Sequence, residues 1–113
     1  MARSKRGGEC YAACGTAILL GELKGLLCQG EVFNPKSGRF HGHCWIENQV
    51  MSHGIVWVVD IGTERTVSMP RDAYYNLGRV RRVKRYTPEK ARELLSKTKR
   101  WGPWHCGRKG KRV

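Results

Sequence analysis

A chain of 113 residues, two-fifths of them hydrophobic, has room for one domain with a modest core that needs no disulfide staples. Its formal charge of +13 is uneven: residues 9–78 hold five Lys/Arg against seven Asp/Glu, residues 79–113 hold fourteen against two, and the first eight add +3. Five cysteines at irregular spacing and an N-terminus without an apolar segment argue against a secreted disulfide scaffold, and no apolar run approaches a membrane span, so a reducing cytoplasm is the expected compartment.

In chain order, Cys10 to Leu20 reads as a helix after the Gly7-Gly8 break, with Ala13, Cys14, Ala17 and Ile18 near one face and Gly15 a weak point. Three strands follow. Leu26 to Phe33 closes at the turn Asn34-Pro35-Lys36-Ser37-Gly38, Gly42 to Asn48 is the second, and Ile55 to Ile61 is the third. The third is apolar almost throughout and is expected in the middle of the sheet, buried on both faces. Pro70 to Leu77 reads as a short helix ending at Gly78, and Arg79 to Tyr86 as an arginine-rich edge strand. Thr87-Pro88-Glu89 is a helix start, with Ala91, Leu94 and Leu95 as its apolar face. Residues 1–104 are expected to form one small catalytic-type domain that includes the basic third, and residues 105–113 a basic, flexible tail.

The chemistry concentrates in the nearly neutral block. Cys10 opens its helix, where spare amides and the helix dipole favour an anion, so its thiol is expected to ionise more readily than a free cysteine and its amide to hold an oxyanion. Alternation along the second strand puts His41, His43, Trp45 and Glu47 on one face, and Cys44 and Ile46 on the other. Asp60 ends the third strand, within reach of the outer nitrogen of His43 if the two strands are neighbours. Cys10, His43 and Asp60 are thus the parts of a nucleophile, its base and the group that orients the base. Tyr11 and Trp45 flank them as candidate substrate contacts. Each also has a plainer reading: Cys14 and Trp45 as core, His41 as a surface histidine, Glu47 as a solvated strand-end charge, Asp60 as a cap for the Gly62 turn, and Tyr74 and Tyr75 as packing groups.

Gly42-His43-Cys44-Trp45-Ile46-Glu47 resembles the Gly-His-Ala-Trp-Val-Glu segment of the transglutaminase-like branch of the papain-like cysteine enzymes, with Cys44 in the alanine position. With Cys10 before it and Val58-Val59-Asp60 after it, the resemblance covers residues 8 to 62. It implies Cys10 as nucleophile, His43 as base, Asp60 as orienting acid, and an α+β fold in which the cysteine helix packs on an antiparallel sheet. Tyr11 stands where that family has a tryptophan beside the cysteine. The implied activity is hydrolysis or transfer of an amide or related acyl group on a protein or peptide, without a cofactor. Short, very basic chains with this signature are similar to ones from bacteria and phages.

Two other chemistries compete. Cys10, Cys14, His41, His43, Cys44, His105 and Cys106 are soft ligands, but the paired knuckle spacing of a zinc site is missing, so no metal is assigned. A noncatalytic module would bind nucleic acid or an acidic protein through Arg79, Arg81, Arg82, Lys84 and Arg85, with Trp101 and Trp104 nearby.

Overall fold

The computed structural model describes residues 6–50, 54–62 and 65–104, with the backbone alone for 6–9 and 49–50. Its elements are α1 (Arg6–Leu19), β1 (Leu26–Asn34), β2 (Arg39–Val50), β3 (Ile55–Ile61), β4 (Thr66–Pro70), α2 (Arg71–Gly78), β5 (Arg81–Tyr86) and α3 (Pro88–Thr98). The strands form one antiparallel sheet in the order β4-β3-β2-β1-β5. This is an α+β fold with helices on both faces of the sheet.

Period-two alternation along β2 divides the core. Cys44 and Ile46 join Tyr11, Cys14, Ala17 and Ile18 of α1, Leu27, Tyr86, and Ala91 of α3 in one cluster. Trp45, on the other face, packs with Cys28, Val58 and Tyr74 of α2 in a second cluster. One face is therefore closed by α1 and α3 and the other by α2.

Local chemistry accounts for the joints. The β1–β2 turn is tied by Gly38 N–H donating to Asn34 O at 2.8 Å and Lys36 N–H to Asn34 Oδ1 at 2.9 Å, with Gly38 at φ 70°. β5 bulges against β1 between Gln29 and Glu31, and Arg82 takes φ 56° there. Gly30 lies opposite, where a Cβ would come 3.1 Å from Arg81 O and 3.2 Å from Val83 Cα. Thr87 caps α3 by accepting Lys90 N–H on Oγ1 at 3.1 Å, with Pro88 in the first turn.

Three expectations change. α1 begins at Arg6 and runs through Gly7-Gly8, because packing against β2 supplies the stability that two glycines withhold from an isolated helix. β2 holds the centre of the sheet, whereas β3 lies one strand from the edge with only Val58 fully buried. Outside it lies β4, a strand that the sequence pattern did not suggest, which pairs Val67 with Asp60 and Met69 with Val58. The expected tail, 105–113, with His105 and Cys106, lies outside the described residues.

The segment after α3 returns to the sheet. Fully buried Gln29 donates from Nε2 to Trp101 O and accepts Trp104 N–H on Oε1, both at 3.1 Å. Trp101 covers Gly15 of α1 so closely that a Cβ there would overlap the indole ring, and Trp104 meets Tyr86 edge-on at 5.1 Å.

Candidate active site

The site forms where the β2–β3 ladder ends. Pairing stops at Ile46↔Val59. Two pairs further on, Cys14 of α1 takes the place of a strand partner: its thiol donates to Cys44 O at 3.6 Å, and Ile61 backbone is also bonded to its sulfur. One helical turn earlier on the same side of α1 lies Cys10.

At this gap groups from the two faces meet. His43 Nε2 is 2.9 Å from Asp60 Oδ2, and the Cys10 thiol is a second hydrogen-bond partner of the ring. Asp60 is diagonal to His43 across the strands, as the shared face predicts. The His43 and Asp60 side chains are 21% and 19% exposed, so the pair is shielded without being sealed. Burial works against a charged imidazole, but its hydrogen bonds to Asp60 and Cys10, with the Asp60 charge, raise His43 to about 10. Burial also disfavours the Asp60 anion, yet the hydrogen bonds from His43 and Tyr74 hold that carboxyl below its ordinary value.

Cys10 itself is half-buried, whereas Cys14 and Cys44 are wholly buried. Burial pushes the Cys44 thiol well above its ordinary value, which makes it an inert neighbour. Cys10 stands fifth in α1, in its second turn. The expectation that its amide is spare is therefore corrected, because the fifth amide of a regular helix bonds to the first residue's carbonyl.

The two candidate substrate contacts lie inside the core. Trp45 is fully buried, with its indole N–H donating to Glu47 Oε2 at 3.1 Å, and Tyr11 is buried with its hydroxyl against the Gly42 backbone. Both side chains belong to the two cores that flank the site, Tyr11 under α1 and Trp45 under α2. Gly42 is required here, since a Cβ would lie 2.7 Å from the Tyr11 oxygen.

Glu47 is not a solvated strand-end charge. It is buried and accepts from Trp45, from Tyr75 and from Arg85 Nε at 2.9 Å, with Arg71 Nη1 at 3.7 Å. Against the cost of burial, the bonds from Tyr75, Arg85 and Trp45 keep its carboxyl below the ordinary value. Tyr74, read from sequence as packing, donates its hydroxyl to Asp60 Oδ2 at 2.6 Å. Asp72-Ala73-Tyr74-Tyr75 carries two adjacent phenols on one short helix, the signal that was available for both contacts.

Of the five basic residues proposed for nucleic acid, Arg79, Arg81 and Arg82 meet neighbours around Phe33, Phe40 and Glu31, and Arg85 turns elsewhere. Arg79 stacks on Phe33 at 4.5 Å, Arg81 stacks on Phe40 at 3.5 Å and pairs with Glu31 at 2.8 Å, and Arg85 turns to Glu47. Arg82 reaches Glu31 only at 3.8 Å and is 70% exposed, and Lys84 is exposed. Among the described residues no three of His, Cys, Asp and Glu converge as metal ligands, and no helix is long and apolar enough to cross a membrane.

No family model, curated protein or solved structure matches the chain.

Proposed function

We propose that the protein is a small thiol enzyme that cleaves or transfers an amide or related acyl group of a protein or peptide, with a papain-like arrangement of Cys10, His43 and Asp60. The observation that carries the reading is the His43 ring, bonded at Nε2 to Asp60 and also to the Cys10 thiol. A histidine raised to about 10 is an imidazolium at neutral pH, the state that pairs with a thiolate.

The steps follow from that pair. Cys10 sulfur adds to the carbonyl carbon, forming the C–S bond and an oxyanion. As the oxyanion collapses, the bond to the leaving nitrogen breaks and His43 gives that nitrogen its proton. A water or amine then attacks the thioester, His43 takes the attacking group's proton, and the C–S bond breaks to restore the pair. Asp60 holds the ring and stabilises its charge throughout.

Alkylation tests this directly. Iodoacetamide at pH 6 should label Cys10 ahead of every other cysteine, and His43→Ala should slow that labelling by roughly 10²-fold, the low end of what a positioned base contributes. Equal labelling of the exposed cysteines, or a rate indifferent to His43→Ala, would remove the reading.

A further inference from the structure

Asp60 can serve His43 only while its carboxylate faces the ring, and an aspartate carboxylate turns about a broad terminal torsion. What stops it turning is visible on α2. Tyr74 donates its hydroxyl to Oδ2 at 2.6 Å, and His43 Nε2 meets the same oxygen at 2.9 Å, so two groups fix one oxygen. The phenol is itself held: Tyr74 is 9% exposed, and its ring lies 5.5 Å from that of fully buried Trp45. The helix that carries it is pinned a second time, because Tyr75 and Arg71 both reach Glu47 on β2. One short helix thus grips the carboxylates of two adjacent strands, one by each tyrosine.

From this geometry we infer that Tyr74 is a positioning residue for the His43 base, acting through Asp60 to keep Oδ2 in line with Nε2. It does not reach the reacting atoms. The inference rests on the thiol-enzyme reading and extends its relay by one member, Tyr74 to Asp60 to His43 to Cys10. Burial and the adjacent carboxylate push the Tyr74 phenol to ionise far above its ordinary range, so it remains a donor at every pH where the enzyme would work.

The test is the pH profile of Cys10 alkylation in wild type and in Tyr74→Phe, which keeps the ring and removes the hydroxyl. If the hydroxyl aims the carboxylate, its loss weakens the hold on the imidazolium, and the alkaline limb of the profile moves to lower pH by about one unit. In an Asp60→Asn background the same substitution should move nothing further, since a residue acting through Asp60 is not additive with it. An unmoved limb would mean that Tyr74 only packs, and a limb moved to higher pH that it competes with His43 for the carboxylate; either overturns the inference. A wild-type profile without preferential Cys10 labelling would sink the enzyme reading instead, so the two failures are distinct. If Tyr74→Phe does not fold, the wild-type hydroxyl proton decides: held on a buried carboxylate, it should exchange slowly enough to give a proton resonance that Asp60→Asn abolishes. A hydroxyl proton that exchanges too fast to be seen in wild type overturns the inference too.

Discussion

The two faces of the sheet bury different chemistry. Under α1 and α3 lie thiols, aliphatic groups and aromatic rings, with Cys14 and Cys44 wholly enclosed and Gln29 spending its amide on the returning C-terminal segment. Under α2, beside the Cys28 thiol and the Trp45 ring, lie two carboxylates, each held by a phenol and a cation: Glu47 by Tyr75 and Arg85, Asp60 by Tyr74 and His43. The difference shows how a small chain can assemble a thiol–imidazole pair. A nucleophile needs an environment that leaves sulfur reactive, whereas an orienting carboxylate needs donors, and the sheet keeps the two apart until the β2–β3 ladder opens. His43 bridges them at that opening.

The largest effect should come from emptying the polar face. Glu47→Ala leaves the Trp45 indole N–H without its acceptor in the core and removes the carboxylate that Tyr75 and Arg85 share, a loss of about 3–5 kcal/mol by analogy with broken buried ion pairs. Cys44→Ala, at a wholly buried position of the thiol face, removes only a sulfur and should cost about 1 kcal/mol, the centre of the range for point substitutions. Urea unfolding of both variants at pH 7 measures the contrast. Equal losses would show that the faces are energetically alike.

A smaller and sharper effect lies in pH dependence, where Glu47, Asp60 and His43 each have named partners. Glu47 and Asp60 are held below their ordinary values, so their contribution is present above about pH 4 and is lost as pH falls through the lowered values. His43 is raised, so its contribution is complete below about pH 6.5 and is lost as pH rises through about 10. Stability should therefore be greatest between roughly pH 5 and 6.5 and decline toward pH 10. His43→Ala should flatten the decline between about pH 6.5 and 9, below the range where the raised Cys28 and Cys44 thiols add their own loss, and leave the acid one in place. A decline over that range that survives His43→Ala would assign it to other groups.

How much of this was legible in sequence depended on how far each signal had to travel. β3 was read with the bounds it has, Ile55–Ile61, because a short apolar run between turn signals carries its own limits. The α3 start was readable in three residues, and the shared face of His43 and Trp45 needed only alternation. Glu47 was misread because Arg85, its principal partner, is 38 residues away and on a strand whose neighbour only the sheet order reveals. β4 was missed because Pro70 reads as the start of the following helix and Thr66-Val67-Ser68-Met69 is too short a run to stand out, although Val67 and Met69 alternate as an edge strand requires. Tyr74 was read as packing for a related reason: its hydroxyl has meaning only once α2 is docked over Asp60.

The smallest stability effect is expected where charge is densest, on β5, and it bears on the same contrast between held and unheld groups. Arg85 points into the α2 face and belongs to the Glu47 network, and Arg81 is both stacked on Phe40 and paired with Glu31. Arg82 and Lys84 project into solvent. Neutralising these two as Arg82→Gln and Lys84→Gln should change stability by no more than about 0.5 kcal/mol each, since exposed ion pairs at such distances contribute little. Arg85→Gln should cost more, because it strips a charged partner from a buried carboxylate. If a polyanion docks on β5, the exposed pair are the residues free to meet it, and the double variant should lower the slope of log affinity against log salt by about one unit for each phosphate that is no longer neutralised. Fluorescence anisotropy with a single-stranded oligonucleotide across a salt series, alongside the Cys10 alkylation rate, reads both properties from one sample. A salt slope unchanged in that variant would take β5 out of any nucleic-acid interface, and a Cys10 rate that fell with it would tie the basic edge to the thiol site from which the fold separates it.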